Sequence, residues 1–257
     1  MKKPLKILHT SDTHLGDPYG HSSSEKSFKN VLDAVDSTQS NFLLIVGDVF
    51  DNERVSDECL QFFISQISRT NIPIIILPGN HDLMHSNSVY KRSVFSDSPK
   101  NLYIFKNPEG EEIQFTEYGI SFWGKAMQEH SPQFQPMTNI SFKNTDYWKV
   151  ALAHGQFEDE KINSGRSSLI FPNHIAESGC DYVALGHWDS FTNVSQKKIP
   201  AYYSGCPTKL SNQKTGMVSI ITMDPSDGVS HKRFALKFIK YEREIQHCFG
   251  ISTPFWV

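Results

Sequence analysis

The chain has 257 residues, enough for one α/β domain or two small ones. Hydrophobic residues at 38% and charged residues at 21% supply a core and exclude a disordered chain. The net charge of −3 excludes an overall basic nucleic-acid binder, though not a local basic groove. The four cysteines, Cys59, Cys180, Cys206 and Cys248, form no Cys-x-x-Cys pair, so a disulfide framework or zinc knuckle is not expected and a reducing cytosol is. The apolar run from Leu5 to Leu8 is too short for a leader peptide and is broken by Lys6 and His9. No apolar segment approaches the ~20 residues that span a bilayer. A soluble, cytoplasmic protein with no membrane partner is expected.

Leu5-Lys6-Ile7-Leu8 reads as a short strand, and Ser23 or Ser24 can cap a helix with Phe28, Val31, Leu32 and Val35 at helical spacing. Phe42 to Val46 is a buried strand that ends in Gly47-Asp48, where glycine permits a sharp turn. Ser56 caps a second helix, with Asp57 and Glu58 in its first turn and a stripe of Leu60, Phe63, Ile64 and Ile67. Ile72 to Leu77 is the next strand. The order strand, helix, strand, helix, strand implies a parallel sheet. Leu102 to Phe105, Ile113 to Phe115 and Ile120 to Trp123 are short strands, with Pro108-Glu109-Gly110 expected to close a hairpin. Residues 125–146, with Pro132 and Pro136, read as a long surface loop of the kind that covers active sites. Trp148 to Ala153 is a strand, residues 156–171 a loop, and Pro172 starts a short helix. Tyr182 to Leu185 is a strand. Ala201 to Ser204, Val218 to Met223 and Lys232 to Phe238 are expected as antiparallel strands. The stretch 241–257 ends in Phe255-Trp256, an apolar end suited to docking.

Five strand ends carry metal-ligand chemistry: Asp12/His14, Asp48/Asp51, Asn80/His81/Asp82, His154 and His187/Asp189. In open α/β folds the ligand site lies beyond the carboxyl ends of the strands, so all five can converge at one edge. An isolated Asp-x-His is usually a turn, but five such sets, each after an apolar strand, are not independent turns. Carboxylate, imidazole and amide oxygen without cysteine suit a catalytic Mn²⁺, Fe or Zn²⁺ site rather than a structural zinc. A carboxylate shared by two ions, as Asp48 is placed to be, is the two-metal arrangement for phosphoryl transfer.

Asp12-x-His14, Gly47-Asp48-x-x-Asp51, Gly79-Asn80-His81-Asp82, His154-Gly155 and Gly186-His187-x-Asp189 resemble the ordered motifs of the calcineurin-like metallophosphoesterases. Ser11-Asp12-Thr13-His14-Leu15-Gly16, Gly47-Asp48-Val49-Phe50-Asp51 and Ala184-Leu185-Gly186-His187 resemble the Mre11/SbcD-type DNA exonuclease branch. The resemblance implies a four-layer α/β/β/α sandwich with mixed sheets, residues 1–240 forming the catalytic domain and 241–257 a tail without a separate cap domain. It implies two divalent ions, Mn first and Fe or Zn as alternatives. Asp12, His14, Asp48 and Asp189 would hold one, and Asp48, Asn80, His154 and His187 the other. A metal-bridging hydroxide would hydrolyse a phosphodiester by in-line attack, with His81 as proton donor and Asp82, or Asp51, orienting it.

The superfamily usually ends its last motif in His, where this chain has Asp189. Asp189 either ligates the first ion or turns away and leaves water there. The chain ends soon after the core, which does not favour a Rad50-like ATPase partner or DNA-end processing. Arg166 clamps a phosphate or is a solvated surface arginine, and Trp188 stacks on a base or packs in the core. The expected substrate is a phosphoester, DNA or a nucleotide. The alternatives are a phosphomonoesterase or cyclic-nucleotide phosphodiesterase, and a non-catalytic binding scaffold of the same fold. The histidines at 9, 21, 85, 130, 174, 231 and 247 have no partner pattern and read as structural or exposed.

Overall fold

A computed structural model describes residues 1–19, 23–158, 165–209 and 215–236. Its first third alternates strand and helix: β1 (Leu5–Thr10), α1 (Ser24–Thr38), β2 (Phe42–Val46), α2 (Asp57–Ile67) and β3 (Ile74–Leu77). β2 is apolar and buried at every position, as a strand covered on both faces must be. It pairs in parallel with β1 and β3, and β3 pairs in parallel with β4 (Leu102–Ile104). Ser56 accepts a hydrogen bond from Cys59 N and so caps α2. Ser23 stands at the N-cap of α1 without such a bond, and that helix is held by its buried stripe of Phe28, Val31, Leu32 and Val35.

β5 (Glu111–Phe115) and β6 (Ile120–Gly124) form an antiparallel hairpin, and β7 (Trp148–His154) runs parallel to β6. β8 (Gln156–Phe157) and β9 (Leu169–Ile170) pair with each other, and α3 (Pro172–Ala176) begins at its proline. β10 (Tyr182–Gly186) lies between β7 and β12 (Ala201–Tyr203), with β11 (Thr192–Asn193) at the edge. β13 (Met217–Asp224) and β14 (Gly228–Ala235) form a long hairpin that joins β1 antiparallel.

Two six-stranded mixed sheets result, in the orders β14-β13-β1-β2-β3-β4 and β11-β12-β10-β7-β6-β5. The two-residue period of a strand divides the second sheet between two cores. Phe122, Val150, Leu152, Tyr182 and Ala184 face the first sheet and share its apolar cluster with α1 and α2. Trp123, Ala151, Ala153, Val183 and Leu185 face outward onto Ile175 of α3. The layers are therefore helix, sheet, sheet, helix.

Three expectations change. Gly110 N donates to Asn107 O, so the turn at Pro108-Glu109-Gly110 forms, but it carries the chain from β4 in one sheet to β5 in the other. The hairpin of this stretch is β5–β6, because β4 is already held in parallel by β3. β12 is antiparallel only to β11 and parallel to β10. The last strand stops at Ala235; residues 237–257, with the apolar Phe255-Trp256, lie outside the described residues. Among the described residues no helix is long and apolar enough to cross a membrane.

Candidate metal centre

Asp12, His14, Asp48 and His187 all have positive φ, at 53°, 42°, 53° and 109°. Residues with a Cβ avoid this region, and such strain persists only where the surroundings overdetermine it. Here the overdetermination is bonding between loops. Asp12 N donates to Gly47 O at 3.0 Å, His14 N to Asp48 O at 3.1 Å and Leu15 N to Val49 O at 2.9 Å. The Asp12 carboxylate accepts from His187 N at 3.2 and 3.1 Å, and Asp48 Oδ1 accepts from His81 N at 2.9 Å. Gly47, at φ 83°, is required by crowding as well: a Cβ there would lie 1.9 Å from His154 Nδ1.

Three sets of donor atoms each lie within 4.8 Å of one another: Asp12/His14/Asp48, Asp48/His154/His187 and His14/Asp51/His81. Asp48 is common to the first two. Asn80 Oδ1 is 3.0 Å from both His154 Nε2 and His187 Nδ1 and so joins the second. His154 Nδ1–H donates to the Val46 carbonyl at 2.9 Å, which fixes the tautomer. Its Nε2 lone pair then points at Asp48 Oδ2, 3.3 Å away, and at Asn80 Oδ1. A bare lone pair aimed at two oxygens is repelled, so the contact calls for positive charge, either a proton on Nε2 or a cation between the three atoms. Carboxylate, imidazole and amide donors fit divalent metal ions there.

The charges agree. Asp12 is pushed up to about 7, by burial first and also by the Asp48 carboxylate, against the pull of His154. Burial opposes charge on Asp48 too, but His154 and His81 overcome it and hold Asp48 well below the usual carboxylate range. His154 is raised to about 10: burial works against its charge, and Asp48 and Asp12 outweigh burial. His187 is lowered to about 4 by burial and by the charge of His154.

The remaining expected residues are placed as follows. The His81 ring lies 4.8 Å from that of His14, and its Nδ1 bonds the Asp51 carbonyl. Asp82 does not orient His81. It is fully buried and accepts from Gly79 N, Asp48 N, Val49 N, Phe50 N and the Tyr90 hydroxyl, so it holds the backbone around Asp48. Asp189 joins none of the three donor sets. Its carboxylate lies near the buried Cys206 thiol, which burial first and then that carboxylate push up; the Cys206 Sγ donates to Thr208 O at 3.4 Å, and the Asp189 carbonyl accepts from Cys206 N at 3.0 Å. Arg166 is exposed and donates to Gln156 Oε1 at 3.1 Å, the atom that also receives Trp188 Nε1 at 3.0 Å. Trp188 stacks on Tyr203 with ring centroids 4.4 Å apart.

Sequence reading did not find Tyr90, Gln156 or His130 at this edge. His130 lies in the long loop before β7, with its ring centroid 6.1 Å from that of His187. Only the coincidence of a histidine with a loop expected to cover the site pointed to it.

Two carboxylate–imidazole sets that share one aspartate, at the strand ends of an α/β/β/α sandwich, define a metal-centred phosphoesterase class. The chain belongs to the calcineurin-like phosphoesterase family, whose sequence model matches residues 5–191. It is 24% identical over 241 residues to the uncharacterized metallophosphoesterase YhaO of Bacillus subtilis, covering 84% of this chain and 56% of that protein. It is 25% identical over 259 residues to the D component of nuclease SbcCD of the same organism, covering 85% and 66%. The chain thus spans between roughly half and two thirds of these relatives' lengths. Among solved structures, TT1561 of Thermus thermophilus shares the fold at a TM-score of 0.55 and 10% identity, covering 91% of this chain and all of that one.

Proposed function

We propose that the chain hydrolyses a phosphodiester with two divalent cations, Mn²⁺ being the first to test and Fe or Zn²⁺ next. The observation that carries this reading is the pair of donor sets sharing Asp48. When bound, such a pair acidifies water and offsets phosphoryl charge. Asp12, His14 and Asp48 would hold one ion; Asp48, Asn80, His154 and His187 the other. The Asp51 carbonyl occupies Nδ1 of His81, so Nε2 is the nitrogen left to give a proton to the leaving oxygen. Asp82 keeps the Asp48 loop in place through four backbone N–H groups. Gln156 holds Arg166 and Trp188 beside the His154 end, where they would receive the phosphate or base of a nucleotide or DNA strand. Residues 1–240 are read as one catalytic unit, which β13 and β14 support as far as Ala235 by completing the first sheet.

The test compares hydrolysis of bis-p-nitrophenyl phosphate, p-nitrophenyl phosphate and single-stranded DNA by wild type, Asp48→Ala and His81→Ala, with Mn²⁺ counted per chain. Activity on the diesters that is lost in both variants is expected. Full occupancy without hydrolysis of any diester sinks the reading. The Asp189–Cys206 contact favours a second reading, since it leaves the first set with three side-chain donors. One ion or none per chain would make the fold a binding scaffold.

A further inference from the structure

His130 reaches the centre from outside every motif. Its loop is fastened on both sides of it: Met84 N donates to Met127 O at 2.7 Å, and Ser168 N donates to Ser131 O at 3.4 Å. Met84 follows the Asn80-His81-Asp82 turn. Ser168 braces the His154 loop, its carbonyl accepting from Gln156 N at 3.1 Å. Backbone bonds to both neighbouring site loops therefore set where His130 stands.

The two ends of the centre are then alike. The His81 ring lies against His14 of the first donor set, and the His130 ring lies against His187 of the second, at an interplanar angle of 65°. His130 belongs to none of the donor sets, so it is not placed as a ligand. Nor is it a core histidine, because its side chain is exposed. A free surface histidine has no need of a loop pinned to both site loops. What remains is an exposed imidazole whose ring stands beside His187 of the second set.

We propose that His130 is a substrate-contacting residue whose imidazole N–H donates to a non-bridging phosphoryl oxygen at the second-set end of the centre. For catalysis this rests on the phosphodiesterase reading above; phosphate binding tests it separately. Mn²⁺-loaded wild type, His130→Ala and His130→Gln are titrated with inorganic phosphate by calorimetry, with Mn²⁺ counted per chain. Unchanged Mn²⁺ content is expected, with phosphate affinity about tenfold weaker in His130→Ala, the equivalent of one hydrogen bond to a charged group. His130→Gln, which keeps an N–H donor, recovers part of it. On bis-p-nitrophenyl phosphate the loss falls on KM more than on kcat.

Phosphate affinity within twofold of wild type in His130→Ala overturns the proposal. So does loss of a Mn²⁺ equivalent, which would make His130 a ligand, or a wild type that binds no phosphate. A wild type that binds phosphate through His130 yet hydrolyses no diester sinks the functional reading and leaves this contact standing.

Discussion

Asp82→Asn exchanges one oxygen for an amide nitrogen at nearly constant size. One Asp82 oxygen accepts from Gly79 N at 2.7 Å and Asp48 N at 3.3 Å; the other accepts from Val49 N at 2.7 Å, Phe50 N at 3.3 Å and the Tyr90 hydroxyl at 2.6 Å. Burial and the Asp48 charge push Asp82 toward its protonated form. Four of these partners are backbone N–H groups, which can only donate, so the pocket is built around the lone pairs of both carboxyl oxygens. An amide nitrogen cannot accept, so whichever way the new side chain turned, at least two bonds would be lost. Hydrogen bonds to charged groups contribute about 1.5–3 kcal/mol each, so the variant should lose about 3–6 kcal/mol of a domain stability of roughly 5–15 kcal/mol. The assay is urea unfolding after EDTA treatment, which removes any metal contribution. Tyr90→Phe deletes one donor and leaves four, at about 1.5–3 kcal/mol. With the amide nitrogen on the Gly79 and Asp48 side the Tyr90 bond is kept, so the double variant should cost about the sum of the two. A loss below about 1 kcal/mol in Asp82→Asn refutes the account.

Gly47→Ala places a Cβ 1.9 Å from His154 Nδ1 at φ 83°. The backbone alone then costs about 1–3 kcal/mol, and Mn²⁺ affinity should fall with stability in calorimetry and urea titration. Asp48→Ala should remove both metal equivalents and Asp12→Ala only one, counted by elemental analysis; equal losses would contradict a shared Asp48. His9 is fully buried and lowered to about 3, by burial first and then by His231 and Arg233. An unfolded histidine titrates near ~6.5, so as pH falls the unfolded chain takes this proton first, and stability is full above that value and lost below it. Between about pH 7.5 and 5.5 wild type should lose about 1.4 kcal/mol that His9→Gln keeps, and parallel urea-midpoint profiles would exclude it.

The parallel half of the first sheet was legible because β2 is apolar at every position and the helices around it carry regular stripes. The motif residues were legible because each follows an apolar strand directly. Sheet membership was not. A turn at Pro108-Glu109-Gly110 looks the same whether the next strand pairs back or crosses to another sheet, and that depends on β3 having already taken the edge of β4. The hydrogen-bond partners of Asp82 were not legible for a related reason. Its partners are backbone N–H groups some thirty residues upstream, and backbone groups leave no mark in the sequence. Asp189 reads as a ligand by position, and its proximity to the buried Cys206 thiol of another loop left no mark in the sequence.

Whether Asp189 ligates would decide the charge of the proposed two-ion centre. With Asp189 as a ligand, two divalent ions would face three carboxylates and keep a formal charge of +1. If two ions bind through the donor sets alone, which lack Asp189, only Asp12 and Asp48 would face them and the sum would be +2. A more positive centre attracts an anionic phosphoester more strongly and acidifies its water further. The same shift leaves the first donor set with Asp12, His14 and Asp48, against Asp48, Asn80, His154 and His187 in the second. On the proposed two-ion reading, attraction for substrate would come with a weaker hold on one ion, and the ion at the Asp12 end should be the first to leave under a chelator.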